Sequence, residues 1–276
     1  MRLAFSKMHG LGNDFIVVDA TTTPLALTTE QIRSLSNRRT GVGFDQLLVV
    51  EPPSRPDVEF DYRIFNADGH EVEQCGNGAR CFAVFVTDRG LTSSERIPVH
   101  TSGGTIILQR VSDGRVTVDM GVPDFSPAAL PFARELQSES YALDIDGKRI
   151  EFGAVSVGNP HMVLPVDSVE SAPVTSLGPR LEHHADFPNR VNVGFLQLHS
   201  RTHVALRVWE RGVGETRACG TGACAAMVVA RARDWVESDI TVQLPGGPLQ
   251  IRWAGEGTPV TLTGPAEFVF DGILDV

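Results

Sequence analysis

Two cysteines share one short sequence context. Cys75-Gly76-Asn77-Gly78 and Cys219-Gly220-Thr221-Gly222 each place a thiol just before a glycine, with a second glycine two positions on. Each is followed by an apolar run: Cys81-Phe82-Ala83-Val84-Phe85-Val86 in one case, Ala225-Ala226-Met227-Val228-Val229-Ala230 in the other. The pattern predicts a thiol at the N-terminus of a buried helix, where the first backbone N–H groups lack intrahelical partners and favour negative charge. The glycines let a ligand approach that backbone closely. A single cysteine of this kind is more often a small buried hydrophobe; a matched pair points to acid–base chemistry. Carboxylates bind at helix N-termini, so a small acid held by both turns has a thiol on each face. One thiolate then removes a proton from carbon while the other thiol delivers a proton to the opposite face, inverting the centre.

The energetics require help from a neighbour. A free cysteine titrates near 8.5, and bringing it to about 7 takes roughly 2 kcal/mol at ~1.36 kcal/mol per unit. A helix N-terminus supplies about 0.3–1 kcal/mol. His161 and Glu210 have suitable chemistry for the remainder: protonated His161 would favour a thiolate, and ionised Glu210 would keep a neighbouring thiol neutral. Cys81 and Cys224 fall inside the apolar runs and read as core, and His183-His184 reads as surface. No C-x-x-C occurs and two of the four thiols belong to packed helices, which argues against a metal site. A one-cysteine hydrolase or thiol oxidoreductase would leave the second matched cysteine idle. A binding module that merely keeps the fold would have no use for either thiol.

The elements that must position these turns can be read from patterning. Asp14–Asp19 and Leu47–Val50 read as strands, and Thr28-Thr29-Glu30-Gln31 opens a short capping-box helix through Asn37. Phe60, Tyr62 and Ile64 alternate as in a half-buried strand. Ile97–Thr101, Thr105–Gln109 and Val116–Met120 follow the first helix as short strands, and Gly90 is its stop. Pro123–Glu139, with three prolines and little periodicity, is the linker candidate. The pattern then restarts. Gly158-Asn159-Pro160-His161 echoes Gly12-Asn13-Asp14-Phe15, and Val204, Leu206 and Val208 echo the Phe60 strand. The cysteines are 144 positions apart and Asn13 and Asn159 are 146 apart, a near-constant offset that marks an internal duplication. Ile240–Leu244, Leu249–Trp253, Val260–Thr263 and Glu267–Phe270 complete the strands. The expected fold is α+β: two similar pseudo-symmetric domains, each a mixed β-sheet curved around a central apolar helix. The expected boundaries are 1–120, completed by 264–276, and 121–263.

Bulk properties narrow the partners. The chain has 276 residues, 42% of them hydrophobic and 21% charged, as in an ordinary globular protein. A net charge of −10 argues against nucleic acid or an anionic membrane as a partner. No apolar run approaches the roughly 20 residues of a membrane span, and Met1–Gly10 has no signal-peptide core. The cytoplasm is the expected location, with the cysteines reduced.

HGLGNDF (His9–Phe15), GVGFDQ (Gly41–Gln46), FNADG (Phe65–Gly69), QCGNGARC (Gln74–Cys81), GNPH (Gly158–His161), VNVGF (Val191–Phe195), ERGVGET (Glu210–Thr216) and ACGTGA (Ala218–Ala223) together resemble diaminopimelate epimerase over essentially the whole chain. The resemblance implies a cofactor-independent two-base epimerase that interconverts LL- and meso-diaminopimelate, acting as a cytoplasmic homodimer in lysine and cell-wall precursor synthesis. Cys75 and Cys219 match the catalytic pair, and His161 and Glu210 the groups that tune it. The amides of Gly76, Asn77, Gly220 and Thr221 match the cradle for the reacting carboxylate. Asn13, Gln46, Asn66, Asn159, Asn192, Glu210 and Arg211 match the side chains around the substrate, with Arg211 and the asparagines suited to its distal carboxylate. Phe270 stands where many members have tyrosine, at a position linked to dimerisation. A related cysteine racemase, acting on proline or hydroxyproline, is the alternative; it shares the paired thiols but lacks the shell of asparagines with Arg211.

Overall fold

The computed structural model describes residues 2–72 and 75–276, so Gln74 of the first cysteine motif lies outside the described residues. The chain divides into two compact units, Met1–Asp119 with Thr263–Val276, and Met120–Leu262.

In the first unit, β1 (Arg2–Gly10) pairs antiparallel with β2 (Asn13–Asp19), which runs parallel to β3 (Gln46–Glu51). β3 pairs antiparallel with β4 (Phe60–Asn66), which is antiparallel to β5 (Glu71–Val72) and parallel to β6 (Arg96–Thr101). β7 (Gly104–Arg110) and β8 (Val116–Asp119) continue antiparallel. The far edge of β1 takes β18 (Glu267–Asp275), also antiparallel. Between β2 and β3 lies α1 (Thr29–Ser36), which starts at a complete capping box: Thr28 Oγ1 accepts from the Gln31 N–H while Gln31 Oε1 accepts from the Thr28 N–H. Between β5 and β6 lies α2 (Gly76–Asp88). Its residues from Gly76 to Val86 are all buried, polar Asn77 and charged Arg80 among an otherwise apolar run. Phe82 meets the rings of Phe60 and Tyr62 at 6.0 and 4.5 Å, and its truncation to alanine costs about 3–5 kcal/mol.

The second unit repeats this order. β10 (Lys148–Ser156) and β11 (Pro160–Pro165) are antiparallel, and β11 runs parallel to β12 (Asn192–Leu198) with α3 (Val174–Glu182) between them. β13 (His203–Glu210) pairs with β12 and with β14 (Gly214–Thr216), and runs parallel to β15 (Asp239–Leu244). β16 (Gly247–Arg252) is antiparallel to β15, and β17 (Thr261–Gly264) follows it in the chain. Between β14 and β15 lies α4 (Gly220–Ala232), buried from Gly222 to Ala230. Where β1 takes β18, β10 takes β9 (Tyr141–Ile145). Each unit is thus a mixed sheet around one buried helix.

Pro123–Glu139, read from sequence as a linker, belongs to the second unit. Leu130 and Phe132 are anchored in its core, where the Phe132 ring stacks on Phe187 at 4.5 Å and meets Tyr141 edge-on at 4.8 Å. Two apolar anchors suffice to fix a segment that has no periodic pattern.

Candidate active site

Each candidate cysteine is the N-cap of its helix. Cys75 has φ −143° and ψ 108°, and its Sγ accepts from the Gly78 N–H at 3.4 Å. Cys219 has φ −103° and ψ 107°, and its Sγ accepts from the Gly222 N–H at 3.3 Å. In both, sulfur takes the place usually held by a serine, threonine or aspartate oxygen. The second glycine of each motif is sterically required. A Cβ on Gly78 would stand 2.5 Å from the Tyr62 hydroxyl oxygen, and one on Gly222 would stand 2.9 Å from Val208 Cγ2.

Around Cys75, Asn13 Oδ1 accepts from the thiol at 3.8 Å and from Asn77 Nδ2 at 3.1 Å. Asn13 Nδ2 donates to Asp45 Oδ2 at 2.8 Å. Gln46 Nε2 donates to Asn66 Oδ1 at 2.8 Å, which leaves Gln46 Oε1 a buried acceptor with no protein partner among the described residues. The Tyr62 hydroxyl is buried beneath Gly78 without a hydrogen bond among the described residues; burial pushes its titration well above the ordinary range, with the neighbouring thiols of Cys75 and Cys81 adding to the shift.

Sequence reading assigned no role to several charged residues here. Arg80 is wholly buried within α2, donating to the carbonyls of Pro265 and Gly76 at 3.0 and 3.2 Å and to Asn77 Oδ1 at 3.0 Å. Arg38 grips both Asp14 oxygens at 2.9 and 2.6 Å and Asp45 Oδ1 at 2.8 Å. Lys7 reaches Asp14 and the Gly43 carbonyl. Burial opposes ionisation of Asp14, but Arg38 and Lys7 outweigh it and hold the carboxyl well below the usual carboxylate range.

Around Cys219 the environment is different. The residue is 4% exposed, and its thiol is pushed well above the ordinary range, first by burial and then by the charge of Glu210. Thr221 Oγ1 at 3.6 Å and the Gly222 N–H partly oppose that shift. Glu210 is itself held by a hydrogen bond from the Thr216 hydroxyl. Asn159 Nδ2 donates to Thr221 Oγ1 at 3.4 Å, and its Oδ1 accepts from His161 Nε2 at 2.9 Å, which places the imidazole proton on Nε2. The structure corrects the expectation of a protonated His161. The ring is 1% exposed, and burial, with a lesser contribution from Arg211, depresses its titration to about 3. It is therefore neutral near pH 7, with Asn159 as the partner of its Nε2.

Asn192 is also buried, with both ends of its amide engaged: Nδ2 donates to the Pro160 carbonyl at 2.9 Å, and Oδ1 accepts from the Arg211 N–H at 2.9 Å. It therefore fixes the backbone of Arg211, whose exposed side chain reaches the Asn189 carbonyl at 3.4 Å. Glu182, buried in α3, supports the same turn by accepting from Trp209 Nε1 at 2.7 Å and the Gly212 N–H at 2.8 Å. Nothing in the local sequence pairs Glu182 with that turn, because the contact crosses 27 to 30 positions. Cys81 and Cys224 are buried, and burial pushes the Cys81 thiol well up. Phe270 lies on β18 at 45% exposure, among exposed Phe268, Val269 and Ile273. Among the described residues no helix is long and apolar enough to cross a membrane.

Comparison with known proteins gives one family and one fold. The family model for diaminopimelate epimerase matches residues 5–126 and 153–269. A diaminopimelate epimerase of Stutzerimonas stutzeri (strain A1501) is 58% identical over 272 residues, covering 99% of this chain and 99% of that protein. Among solved structures, a hydroxyproline epimerase from Agrobacterium vitis with bound trans-4-hydroxy-L-proline aligns with a TM-score of 0.71 at 15% identity, over 99% of this chain and 92% of that one. A PhzF-family phenazine biosynthesis protein of Bacillus anthracis aligns with a TM-score of 0.70 at 15% identity over 100% of both chains. At such identities these two structures show the shared fold alone.

Proposed function

The chain belongs to the diaminopimelate epimerase family, and on that premise we propose that it interconverts LL- and meso-2,6-diaminopimelate, without a cofactor, by proton transfer at the α-carbon between Cys75 and Cys219. The observation that carries this reading is the matched capping of two 13-residue helices by thiols. In each direction one thiolate takes the α-proton, the electron pair moves into the adjacent carboxylate, and the other thiol delivers its proton to the opposite face. The reaction ends with the two cysteines having exchanged protonation states.

The amides of Gly76, Asn77, Gly220 and Thr221 receive the reacting carboxylate, whose charge grows as the proton leaves. Burial and Glu210 hold Cys219 in the protonated form, the form that delivers a proton. Neutral His161 orients Asn159 and leaves the local charge to Glu210. Asn13, Gln46, Asn66 and Asn159 surround the substrate; the buried Gln46 Oε1 suits a substrate ammonium. Arg211, its backbone held by Asn192, pairs with the distal carboxylate. The exposed apolar residues of β18, Phe270 included, suit a homodimer interface, and the cytoplasm is the compartment that keeps paired thiols reduced.

The test is incubation of the purified protein with LL-diaminopimelate in heavy water without added cofactor. Inversion with one solvent deuteron at the α-carbon is expected. Epimerisation surviving in Cys75→Ala or Cys219→Ala overturns the two-base assignment.

A further inference from the structure

Asn13 is held from both sides. Its Nδ2 donates to Asp45 Oδ2 at 2.8 Å, so its Oδ1 faces α2, where it accepts from Asn77 Nδ2 at 3.1 Å and from the Cys75 thiol at 3.8 Å. Asn77 is oriented in the same sense, because its Oδ1 accepts from Arg80 Nη2 at 3.0 Å and its Nδ2 must then turn toward Asn13. A carboxylate at one end and a guanidinium at the other therefore impose one orientation on both amides. Flipping Asn13 would set an amide oxygen against the Asp45 carboxylate and an amide nitrogen against Asn77 Nδ2. Asp45 is itself fixed: Oδ1 accepts from Arg38 at 2.8 Å and Oδ2 from the Asp14 N–H at 3.1 Å.

We propose that Asp45 is a positioning residue that keeps the Asn13 amide oxygen turned toward Cys75, so that a proton on the sulfur always has an acceptor. The arrangement favours S–H over S⁻ and makes Cys75 the stronger base once it is deprotonated. The inference rests on Cys75 being a proton-transfer residue. Among the described residues, Tyr62 on β4 and Cys81 on α2 interact with the Cys75 thiol, Arg80 on α2 reaches Asn77 beside it, and Asp45, on the far side of Asn13, is joined to Arg38, Asp14 and Lys7.

The experiment follows iodoacetamide labelling of Cys75 against pH in the full-length chain, mapped by peptide mass, so that its readout needs no turnover. Asp45→Ala leaves Asn13 able to flip and present N–H groups to sulfur. The expected result is a labelling midpoint about one pH unit lower, roughly a tenfold rise in thiolate at a given pH. Asp45→Asn removes the charge but keeps an acceptor for Asn13 Nδ2, and should shift the midpoint by less than half as much. Arg38→Met, which spares the Asp45–Asn13 contact, should stay near the parent. An unchanged midpoint in Asp45→Ala, or equal shifts in Asp45→Ala and Asp45→Asn, overturns the proposal, the second outcome because it assigns the effect to charge alone. Asn13→Leu supplies an independent arm should Asp45→Ala not fold. It should lower the midpoint by itself, with no further change when Asp45→Ala is added; an unchanged or additive midpoint overturns the proposal. Failure of the protein to turn over diaminopimelate would refute the functional reading and leave the labelling result standing.

Discussion

Phe15 and His161 occupy the same register position in the two units. Phe15 stands opposite Gln46 across the parallel β2–β3 pair, and His161 stands opposite Asn192 across β11–β12. Both side chains are buried, at 0% and 1% exposure. The slot that holds a phenylalanine in one unit holds a histidine in the other, which accounts for the neutrality of that imidazole: the surroundings are built for an uncharged ring.

A pH dependence follows. The folded-state titration of His161, near 3, lies below its ordinary 6.5, so folding favours the neutral form. The stability this contributes is complete above about pH 6.5 and is lost as pH falls toward 3. His161→Phe should therefore fold and lose stability less steeply than the parent in urea melts between pH 7 and 4, while losing turnover. Parallel pH profiles for the two proteins would count against the assignment.

Glu210 raises the proton affinity of Cys219. In Glu210→Gln, mass-mapped alkylation of Cys219 should begin at lower pH than in the parent, while burial still keeps its midpoint above that of a free thiol. A midpoint that stays put or rises would show that the carboxylate does not act on the thiol.

Arg211 contributes little to the fold by its side chain, which is exposed and, among the described residues, makes one long hydrogen bond of 3.4 Å. Arg211→Met should change unfolding stability by no more than about 0.5 kcal/mol. It should reduce kcat/KM for diaminopimelate on the order of 10²-fold, as loss of a charge-assisted carboxylate contact does. Unimpaired kcat/KM would redirect the substrate assignment toward an amino acid without a distal carboxylate.

Tyr62 buries a hydroxyl with no partner among the described residues, at a cost of roughly 1–3 kcal/mol. Tyr62→Phe should raise the midpoint of thermal unfolding. Gly78→Ala should lower it, since the new methyl meets the Tyr62 oxygen at 2.5 Å. A destabilised Tyr62→Phe would point to a hydrogen bond made by that hydroxyl in solution.

The cysteine turns were legible because glycines at fixed offsets ahead of an unbroken apolar run specify a tight turn into a buried helix, and because the pattern occurs twice. The α1 capping box was legible for the same local reason. β1 was not, since its buried stretch includes Ser6 and Lys7, whose partners Asp271, Asp14 and Gly43 lie elsewhere in the chain. β9 and β10 were missed because they follow an aperiodic segment. Among the candidate site residues, the cysteines stand out by type and spacing. Arg80 and Asp45 sat inside recognisable motifs without a role, because what defines them is a long-range hydrogen bond: Pro265 for one, Asn13 for the other. The charge state of His161 was misjudged for a related reason. Sequence shows that a histidine is present, but not that the sheet buries it.

The pairing of β1 with β18 bears on how the protein is made. The second unit is one continuous stretch, Met120–Leu262, whereas the first needs both Arg2–Gly10 and Glu267–Asp275. During synthesis on the ribosome the second unit has all its strands available before the first does, although the first begins to emerge earlier. Until Glu267–Asp275 clears the exit tunnel, β1 presents one bare edge on which Phe5 and Leu3 have no covering strand. The nascent chain is then open to pairing with the wrong strand at that edge.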